Sequence, residues 1–218
     1  STVKNRVLNL ADKPEIISGN YIIKEGETLN SFYLAESAGV DPATGNKLYW
    51  VWDNDADGVP GEKYITDSYQ RAQQSRSIAG SRMPNLYGSW SNSVSYRDLD
   101  LSVMTTYSIG GKMLDGVYNG LLYNSYVGEA AHVDRRKSWK QPGDITSIPR
   151  IDVGGAFTTT RTADELIDAS YFAIKNITLG YSLPASLVQS VGIESLRATL
   201  TADNIYIFTA MKGMDPQY

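Results

Sequence analysis

Residues 53–58 have the types and spacing of the opening half of a calcium-binding loop. Asp53, Asp55 and Asp57 occupy alternate positions and Gly58 follows them. Carboxylates at this spacing can converge on a hard cation while the glycine lets the chain turn sharply. The position where a glutamate would complete such a loop holds Tyr64 instead. Two interpretations stay open, a Ca²⁺ site at the three aspartates and an ordinary polar turn, and the strong turn preference of Asp, Asn and Gly favours the second.

Catalytic chemistry has few residues to use in this chain. His132 is the only histidine, and the chain has no cysteine. His132 falls in a predicted surface loop with Asp134 two residues on, and a catalytic triad is defined by geometry that this spacing does not supply. The sequence also lacks a phosphate-binding glycine loop and a His-Glu-x-x-His motif. We therefore predict that the chain is not an enzyme and requires no cofactor.

Aromatic side chains in predicted loops form a third group of candidates. Aromatic rings stack on sugars and anchor protein interfaces, and they also bury area between loops. Packing between loops is the favoured interpretation for any single residue, and contact with a substrate or a partner protein is the functional one. The candidates for that contact are Trp50, Trp52, Tyr118, Tyr123, Tyr126 and Trp139.

A β-hairpin over residues 86–109 is the clearest element of the sequence. Apolar and polar side chains alternate at every second position in both arms, which is the period of a strand. A two-residue turn at Arg97 and Asp98 gives one register that pairs apolar with apolar and polar with polar residues. Asp98 is expected to adopt the left-handed conformation of that turn. Each arm matches the roughly 9–11 residues with which a tilted strand crosses a bilayer.

A second long hairpin is predicted over residues 171–208. The apolar side of its first arm changes near Asn176, which a β-bulge would explain. Pro184 and Gly192 bound a connection with helical spacing, so we expect one short helical turn there. A smaller hairpin is predicted from residues 31–38 and 47–52, turned by the sequence Asp-Pro-Ala-Thr-Gly-Asn at 41–46.

Composition narrows the class of protein. The net charge is −4, and the longest basic run is the three residues at 135–137, which predicts no nucleic-acid partner. No segment reaches the roughly 18 apolar residues of a membrane-spanning helix. The 15 tyrosines, 19 glycines and 4 tryptophans are typical of a transmembrane β-barrel, whose strands hide their apolar residues at alternate positions.

These patterns predict an all-β chain of antiparallel strands from a large transmembrane barrel. Four strands cannot close a barrel, because the smallest need about eight and an open edge leaves backbone groups unpaired in hydrocarbon. The remainder of the barrel must then come from other polypeptide. Residues 86–109 and 171–208 would be transmembrane hairpins in contact with outer-membrane lipid. Residues 11–85 and 110–170 would be extracellular segments, because the short turns of such barrels face the periplasm.

Several stretches resemble the SusC/RagA class of TonB-dependent outer-membrane transporters of Bacteroidetes. The strongest is Ala-Ser-Tyr-Phe-Ala-Ile-Lys-Asn-Ile-Thr-Leu-Gly-Tyr-Ser-Leu-Pro at 169–184, with Asp-Asn at 203–204 and Lys-Gly-Met-Asp-Pro at 212–216. Weaker matches recur in family order over the whole chain, at 5–10, 39–45, 84–88, 95–101 and 139–150. Two departures are Asp98, where the family usually has glycine, and an end at Tyr218 before the family's last strand.

This resemblance implies a function in active nutrient import. The family barrel has 22 strands, an N-terminal plug, a SusD-like surface lipoprotein as a lid, and a connection to TonB that supplies energy. Its cargo is oligosaccharide or peptide, and its location is the Gram-negative outer membrane. The chain is expected to be the C-terminal part of such a barrel, without the plug or the segment that meets TonB.

A soluble glycan-binding β-sandwich is the alternative. The same alternation would then bury the side of the first hairpin that carries Trp90 and Val94 against a second sheet. The two interpretations differ in what contacts that side.

Overall fold

A computed structural model describes residues 1–11, 13–54, 60–123, 128–152 and 161–212. The chain divides into two compact units. We call residues 1–4, 84–110 and 169–210 the long-strand unit, and residues 5–83, 111–168 and 211–218 the mixed unit. In the described part of the chain, no helix has both the length and the apolar character needed to cross a membrane.

Short antiparallel strands and a few short helices make up the described residues. The strands are β1 (Glu15–Ser18), β2 (Tyr21–Lys24), β3 (Ser31–Leu34), β4 (Glu36–Val40), β5 (Lys47–Asn54), β6 (Pro60–Thr66), β7 (Ser77–Ser81), β8 (Leu86–Tyr96), β9 (Leu99–Ile109), β10 (Lys112–Leu114), β11 (Leu166–Asp168), β12 (Tyr171–Ser182) and β13 (Arg197–Thr209). The helices are α1 (Tyr69–Gln74), α2 (Gly116–Leu122) and α3 (Ala185–Val188), with 3₁₀ helices at Val133–Lys137, Ala163–Glu165 and Gln189–Val191.

The long-strand unit is one four-stranded antiparallel sheet in the order β13-β12-β9-β8. The register predicted for the first hairpin is confirmed, because Val94 pairs with Leu101 and Ser93 with Ser102. The conformation predicted for its turn is wrong. Arg97, the first turn residue, has the positive φ of 53°, and Asp98 does not. The left-handed residue is therefore held by its place in the turn and not by the short side chain that would favour it.

The second hairpin contains the irregularity that its sequence predicts. The register of β12 against both neighbours shifts between Ile174 and Asn176, which confirms a bulge. This shift puts Phe172 and Ile174 on the same side as Ile177 despite their opposite parity in sequence. The predicted helical turn is also confirmed, since α3 and a 3₁₀ turn fill the connection and Gly192 ends it at φ 81°.

The mixed unit contains three small sheets with the orders β1-β2-β3-β7, β4-β5-β6 and β10-β11. The predicted small hairpin is confirmed for β4 and β5 and is wrong for residues 31–34, which pair with β2 and β7 instead. Ala35 is the reason. It forms a parallel bridge with Thr162 and its carbonyl accepts the Ala163 N–H at 2.9 Å, so the chain passes there from one sheet to the next.

Apolar side chains form a core within the mixed unit. Ala35, Tyr49, Val51 and Ala72 are buried together, with Tyr64 and Tyr69 packed against them. In the first sheet, Ile22, Phe32 and Leu34 are buried, and the Phe32 ring lies 5.0 Å from the ring of Tyr21. Segments predicted as extracellular loops thus contain sheets with an interior of their own.

Candidate functional site

The two faces of the long-strand sheet differ sharply in polarity. One row across the four strands consists of Val94, Leu101, Leu179 and Leu200, which pair in sequence from β8 to β13. Their exposed fractions are 60%, 42%, 43% and 72%. Other large apolar side chains that are exposed on this face are Trp90, Tyr96, Leu99, Ile109, Phe172, Tyr181, Tyr206 and Phe208. We call this side the apolar face.

The opposite side, which we call the polar face, is built mostly from serine and threonine. The row next to the one above consists of Ser93, Ser102, Thr178 and Thr201, and the last two hydroxyls lie 3.2 Å apart. Tyr87 and Met104 are apolar exceptions. The apolar face and the polar face of this sheet are stable in different surroundings, an apolar one for the first and a polar one for the second.

A charged pair lies on the polar face at the strand ends next to the short connections. Arg197 Nη2 of β13 lies 2.6 Å from Asp100 Oδ1 of β9, and Gly180 of β12 lies between them. A Cβ at Gly180 would collide with both charged groups, so glycine is needed for this close approach. Asn176 Nδ2 also donates to Asp203 Oδ1 at 2.7 Å. Polar side chains on this face therefore connect β13 both to its neighbour β12 and, across Gly180, to β9.

Trp50 and Trp52 lie together on β5 and share one cation. Lys63 Nζ lies 4.9 Å from the centre of the Trp50 ring and 5.5 Å from that of Trp52, and it is 2.8 Å from Glu36 Oε1. Trp52 is 42% exposed. Lys63 thus forms cation–π contacts with both rings within the mixed unit. Only the exposed part of Trp52 is open to contact with another molecule.

Tyr118 belongs to a network of charged groups beside α2. Its hydroxyl donates to Asp134 Oδ2 at 2.9 Å, and its ring lies edge-on to the ring of His132 at 4.7 Å. Burial and the bond to Asp134 raise the Tyr118 pKa above its usual range. Hydrogen bonds from Lys137 and Tyr118 hold the pKa of Asp134 well below its usual range. His132 Nδ1 accepts the Asp134 N–H at 3.2 Å, so His132 caps a 3₁₀ helix.

Tyr123, at the end of α2, lies beside a buried ion pair between Lys47 and Glu165. The sequence did not indicate this pair. Lys47 Nζ donates to Glu165 Oε1 at 2.8 Å, and both side chains are 4% exposed. The same Nζ donates to Thr162 Oγ1 at 2.5 Å and lies 5.8 Å from the Tyr123 ring. Burial and the charge of Glu165 raise the Tyr123 pKa far above its usual range. Lys47 and Glu165 are 118 positions apart, and no spacing rule relates them.

Trp139 is anchored on the turn between β4 and β5. Its indole N–H donates to the Pro42 carbonyl at 2.9 Å. Its ring packs so closely on Gly45 that a Cβ there would lie 2.5 Å from two ring carbons. The Asp41 carboxylate accepts the Thr44 hydroxyl and the Ala43 N–H, which lower its pKa and hold the turn in shape. The ring of Trp139 therefore has a fixed position.

Comparisons with known proteins give the class. No protein-family profile matches the chain. TonB-dependent receptor P3 of Formosa agariphila is 27% identical over 98% of this chain, and TonB-dependent receptor P39 of the same organism is 24% identical over 98%. The solved RagAB peptide transporter is 28% identical, covers 98% of this chain and superposes with a TM-score of 0.67. The RagAB peptide importer in its open-open state gives 26% identity and a TM-score of 0.70.

The chain is a relative of SusC/RagA-class TonB-dependent receptors. It spans 22% of the length of receptor P3 and 22% of the first RagAB chain. The names of these relatives are those of receptors and transporters, not of enzymes. The resemblance found in the sequence is confirmed, and so is the class of fold, antiparallel strands that belong to a larger barrel of this class.

The structure places the aromatic and acidic residues that the sequence singled out at several separate positions. Tyr118 and Tyr123 line one cavity of about 410 Å³, Trp50 and Trp52 meet at Lys63, and Trp139 lines a separate cleft. Tyr126, Asp55 and Asp57 lie outside the described residues. Asp53 is exposed on β5, and in the described ranges no three acidic, histidine or cysteine residues are grouped to hold a metal. The calcium site stays a prediction.

Proposed function

We propose that this chain supplies four strands and two outer segments to the barrel of an outer-membrane nutrient importer of the SusC/RagA class. The exposed apolar row from Val94 to Leu200 is the observation that carries the proposal. Four large aliphatic side chains on one side of an otherwise hydrophilic sheet need an apolar environment, and acyl chains provide it. The serine and threonine rows on the polar face would then line the lumen.

The other parts of the proposed importer are inferred by analogy with the relatives of this chain. Strands from the remainder of the same barrel would pair with the outer edges of β8 and β13, because unpaired backbone groups in hydrocarbon cost several kcal/mol each. A SusD-like lipoprotein would cover the outer side, and TonB would supply energy through the N-terminal part. The cargo would be oligosaccharide or peptide, and movement of lid and plug would replace bond chemistry as the mechanism.

The proposed placement divides the chain as the sequence suggests. Residues 86–109 and 171–208 would cross the membrane, and residues 11–85 and 110–170 would lie on the extracellular side. Trp50, Trp52, Tyr118, Tyr123 and Trp139 all belong to the mixed unit, which would meet the substrate and the lid. The two-residue turn at Arg97 and Asp98 and the α3 connection would face the periplasm.

Site-directed fluorescence tests the proposal on the complete receptor in vesicles. This chain has no cysteine, so in a receptor whose other cysteines are replaced by serine, Val94→Cys and Leu200→Cys can be labelled singly with an environment-sensitive dye. Ser93→Cys and Thr201→Cys are the matched controls. We expect spin-labelled lipid to quench the first pair and a water-soluble quencher to reach the second. Equal quenching of all four positions by the water-soluble agent would contradict the proposal.

The soluble β-sandwich fits the structure less well. A sandwich buries one face of each sheet against the other sheet, at about 10 Å separation. In this chain, Val94 and Leu200 on that face are 60% and 72% exposed. The importer therefore accounts for these side chains and the sandwich does not.

A further inference from the structure

A cleft of about 850 Å³ in the mixed unit has an unusual lining for an acidic chain. Residues 131–140 form most of it, with Arg150 and Ile151 on one side. Four of the lining side chains are cationic, and no lining residue is an aspartate or glutamate. These cations are Arg135, Arg136, Lys140 and Arg150. We call this site the basic cleft.

The base of the basic cleft is held in place by hydrogen bonds. Besides its indole bond to Pro42, Trp139 donates its backbone N–H to the Ile148 carbonyl at 3.0 Å. Arg150 donates its backbone N–H to Gly45 at 2.9 Å and its Nε to Asn46 Oδ1 at 3.0 Å. The indole and one guanidinium are therefore fixed to the same turn before any ligand arrives, which lowers the entropic cost of binding.

The carboxylates beside the cleft are engaged by groups other than its four cations. Asp134 pairs with Lys137 at 2.7 Å and Lys212 at 3.3 Å, and its Oδ2 lies 3.5 Å from Nδ1 of the lining residue His132. Asp144 accepts the backbone N–H groups of Lys140 and Gln141. Within the described ranges, none of the four cleft cations forms an ion pair. A concave surface lined by several cations has a positive electrostatic potential that attracts an anionic ligand.

We propose that the basic cleft binds an oligosaccharide that carries carboxylate or sulfate groups. Guanidinium groups recognise such oxyanions with paired N–H donors, and an indole beside them offers a face for a sugar ring. The volume lies within the roughly 300–1,000 Å³ of small-ligand sites. An acidic peptide could also offer carboxylates to this arginine cluster. The lining indole of Trp139 favours the sugar, because a sugar ring can stack on an aromatic face while its acidic groups meet the cations.

This inference rests on the proposed import function and names its substrate class. Binding is measured by calorimetry on the complete receptor in detergent. The probes are tetragalacturonic acid as a carboxylated sugar, a κ-carrageenan tetrasaccharide as a sulfated one, cellotetraose as a neutral one, and hexaglutamate as an acidic peptide. We expect one or both anionic sugars to bind, with an affinity that falls as salt screens the charges.

Removal of two cations should weaken that binding selectively. The variant R135Q/R136Q is expected to lower the affinity for the anionic sugar at least about tenfold, because hydrogen bonds between charged groups are the strong ones. The control variant K13Q/R71Q removes the same charge from exposed positions outside the cleft and should bind as the unaltered receptor does. The melting temperature of each variant separates loss of binding from loss of folding.

Three results would overturn the inference. The first is that neither anionic sugar binds, and the second is that R135Q/R136Q binds the anionic sugar as tightly as the unaltered receptor does. The third is binding of hexaglutamate in place of the sugars, which would assign the cleft to acidic peptides. The quenching experiment above is independent: lipid contact at Val94 and Leu200 without binding of any sugar would reject the cleft inference alone, and sugar binding without lipid contact would reject the importer alone.

Discussion

Tyr49 and Val51 lie on an antiparallel strand of the mixed unit and are 1% and 4% exposed, whereas Val94 and Leu200 lie on antiparallel strands of the long-strand unit and are 60% and 72% exposed. Both pairs follow the same alternation of apolar and polar positions. The mixed unit folds its apolar side chains against one another around Ala35 and Ala72. In the long-strand unit the row from Val94 to Leu200 packs only side by side along the sheet, and its outer side is exposed.

This difference shows that hydrophobic alternation alone does not say what covers the apolar side. In the mixed unit the strands are short and break into several sheets, which lets small sheets and α1 close over a core. In the long-strand unit the strands run for 11 to 13 residues, with one bulge in β12, and this length suits a bilayer and gives no short segment to fold back. The mixed unit should thus depend on its own interior, and the long-strand unit on its surroundings.

The largest effect is expected at the buried ion pair of the mixed unit. Lys47→Met would remove the nearer cation of the buried Glu165 carboxylate and leave only Arg161 Nη1, at 3.3 Å from Oε2, to compensate its charge. Breaking a buried ion pair typically costs about 3–5 kcal/mol, and the remaining contact with Arg161 should put the cost at the lower end of that range. Opening would be measured by hydrogen exchange of the Ala163 amide, which bonds to Ala35 beside the pair. The double variant K47M/E165L removes both charges and should recover most of the loss. Equal exchange in the single variant and the unaltered receptor would show that the pair does not hold this region.

A charge on the apolar face is the matching change in the long-strand unit. Val103→Arg, near the middle of β9 on the apolar face, should lower the free energy of unfolding from lipid bilayers by about 2–4 kcal/mol. Ser102→Arg, the preceding residue on the polar face, should have much less effect. Similar losses for both variants would remove the distinction between the two faces.

A smaller effect should follow from crowding Trp139. Gly45→Ala puts a Cβ against the indole and also forces a left-handed residue at φ 72°, which alone costs about 1–2 kcal/mol. Gly143→Ala is the control, since Gly143 is also left-handed at φ 99° but has no atom near its would-be Cβ. We expect a change in tryptophan fluorescence for Gly45→Ala that exceeds that for Gly143→Ala. The same fluorescence change in both variants would mean that contact with Trp139 adds nothing to the backbone strain.

The smallest effect is expected in the pH dependence of the thermal stability of the mixed unit at low pH. The folded pKa of Asp134 is lower than its ordinary value of 3.8, so its ionised form contributes stability above that pH and loses it as the pH falls towards the folded pKa. The difference in thermal stability between the unaltered receptor and Asp134→Asn should be constant above about pH 5 and shrink at lower pH. A difference that grows on acidification would reverse the assigned sign.

The sequence was most informative where neighbouring residues decide the structure. The pairing of β8 with β9 follows from the turn at Arg97 and the alternation of the two arms. The bulge of β12 was visible as a change of parity near Asn176. By contrast, the pairing of β9 with β12 joins strands on either side of residues 110–170, and such contacts leave no local pattern.

The candidate site was predicted less well for the same reason. Trp50 and Trp52 were identified as aromatic residues, but the role of Lys63 between them depends on the pairing of β5 with β6. Residues 31–34 were assigned to the wrong hairpin because the bridge from Ala35 to Thr162 connects distant parts of the chain. The basic cleft likewise combines residues 131–140 with Arg150, whose position depends on the turn at Gly45.

The charged pair across Gly180 has a consequence for strand alignment. If β13 slid along β12 by two residues, or about 6.7 Å, each apolar side chain would still meet an apolar side and each polar one a polar side. The alternation of apolar and polar residues therefore does not distinguish the shifted alignment from the observed one. Arg197 and Asp100 do, because the shift would carry the guanidinium out of reach of the carboxylate. Gly180 and the two opposite charges therefore favour the observed alignment at this end of the sheet, as the hydrogen bond from Asn176 to Asp203 does further along the same pair of strands.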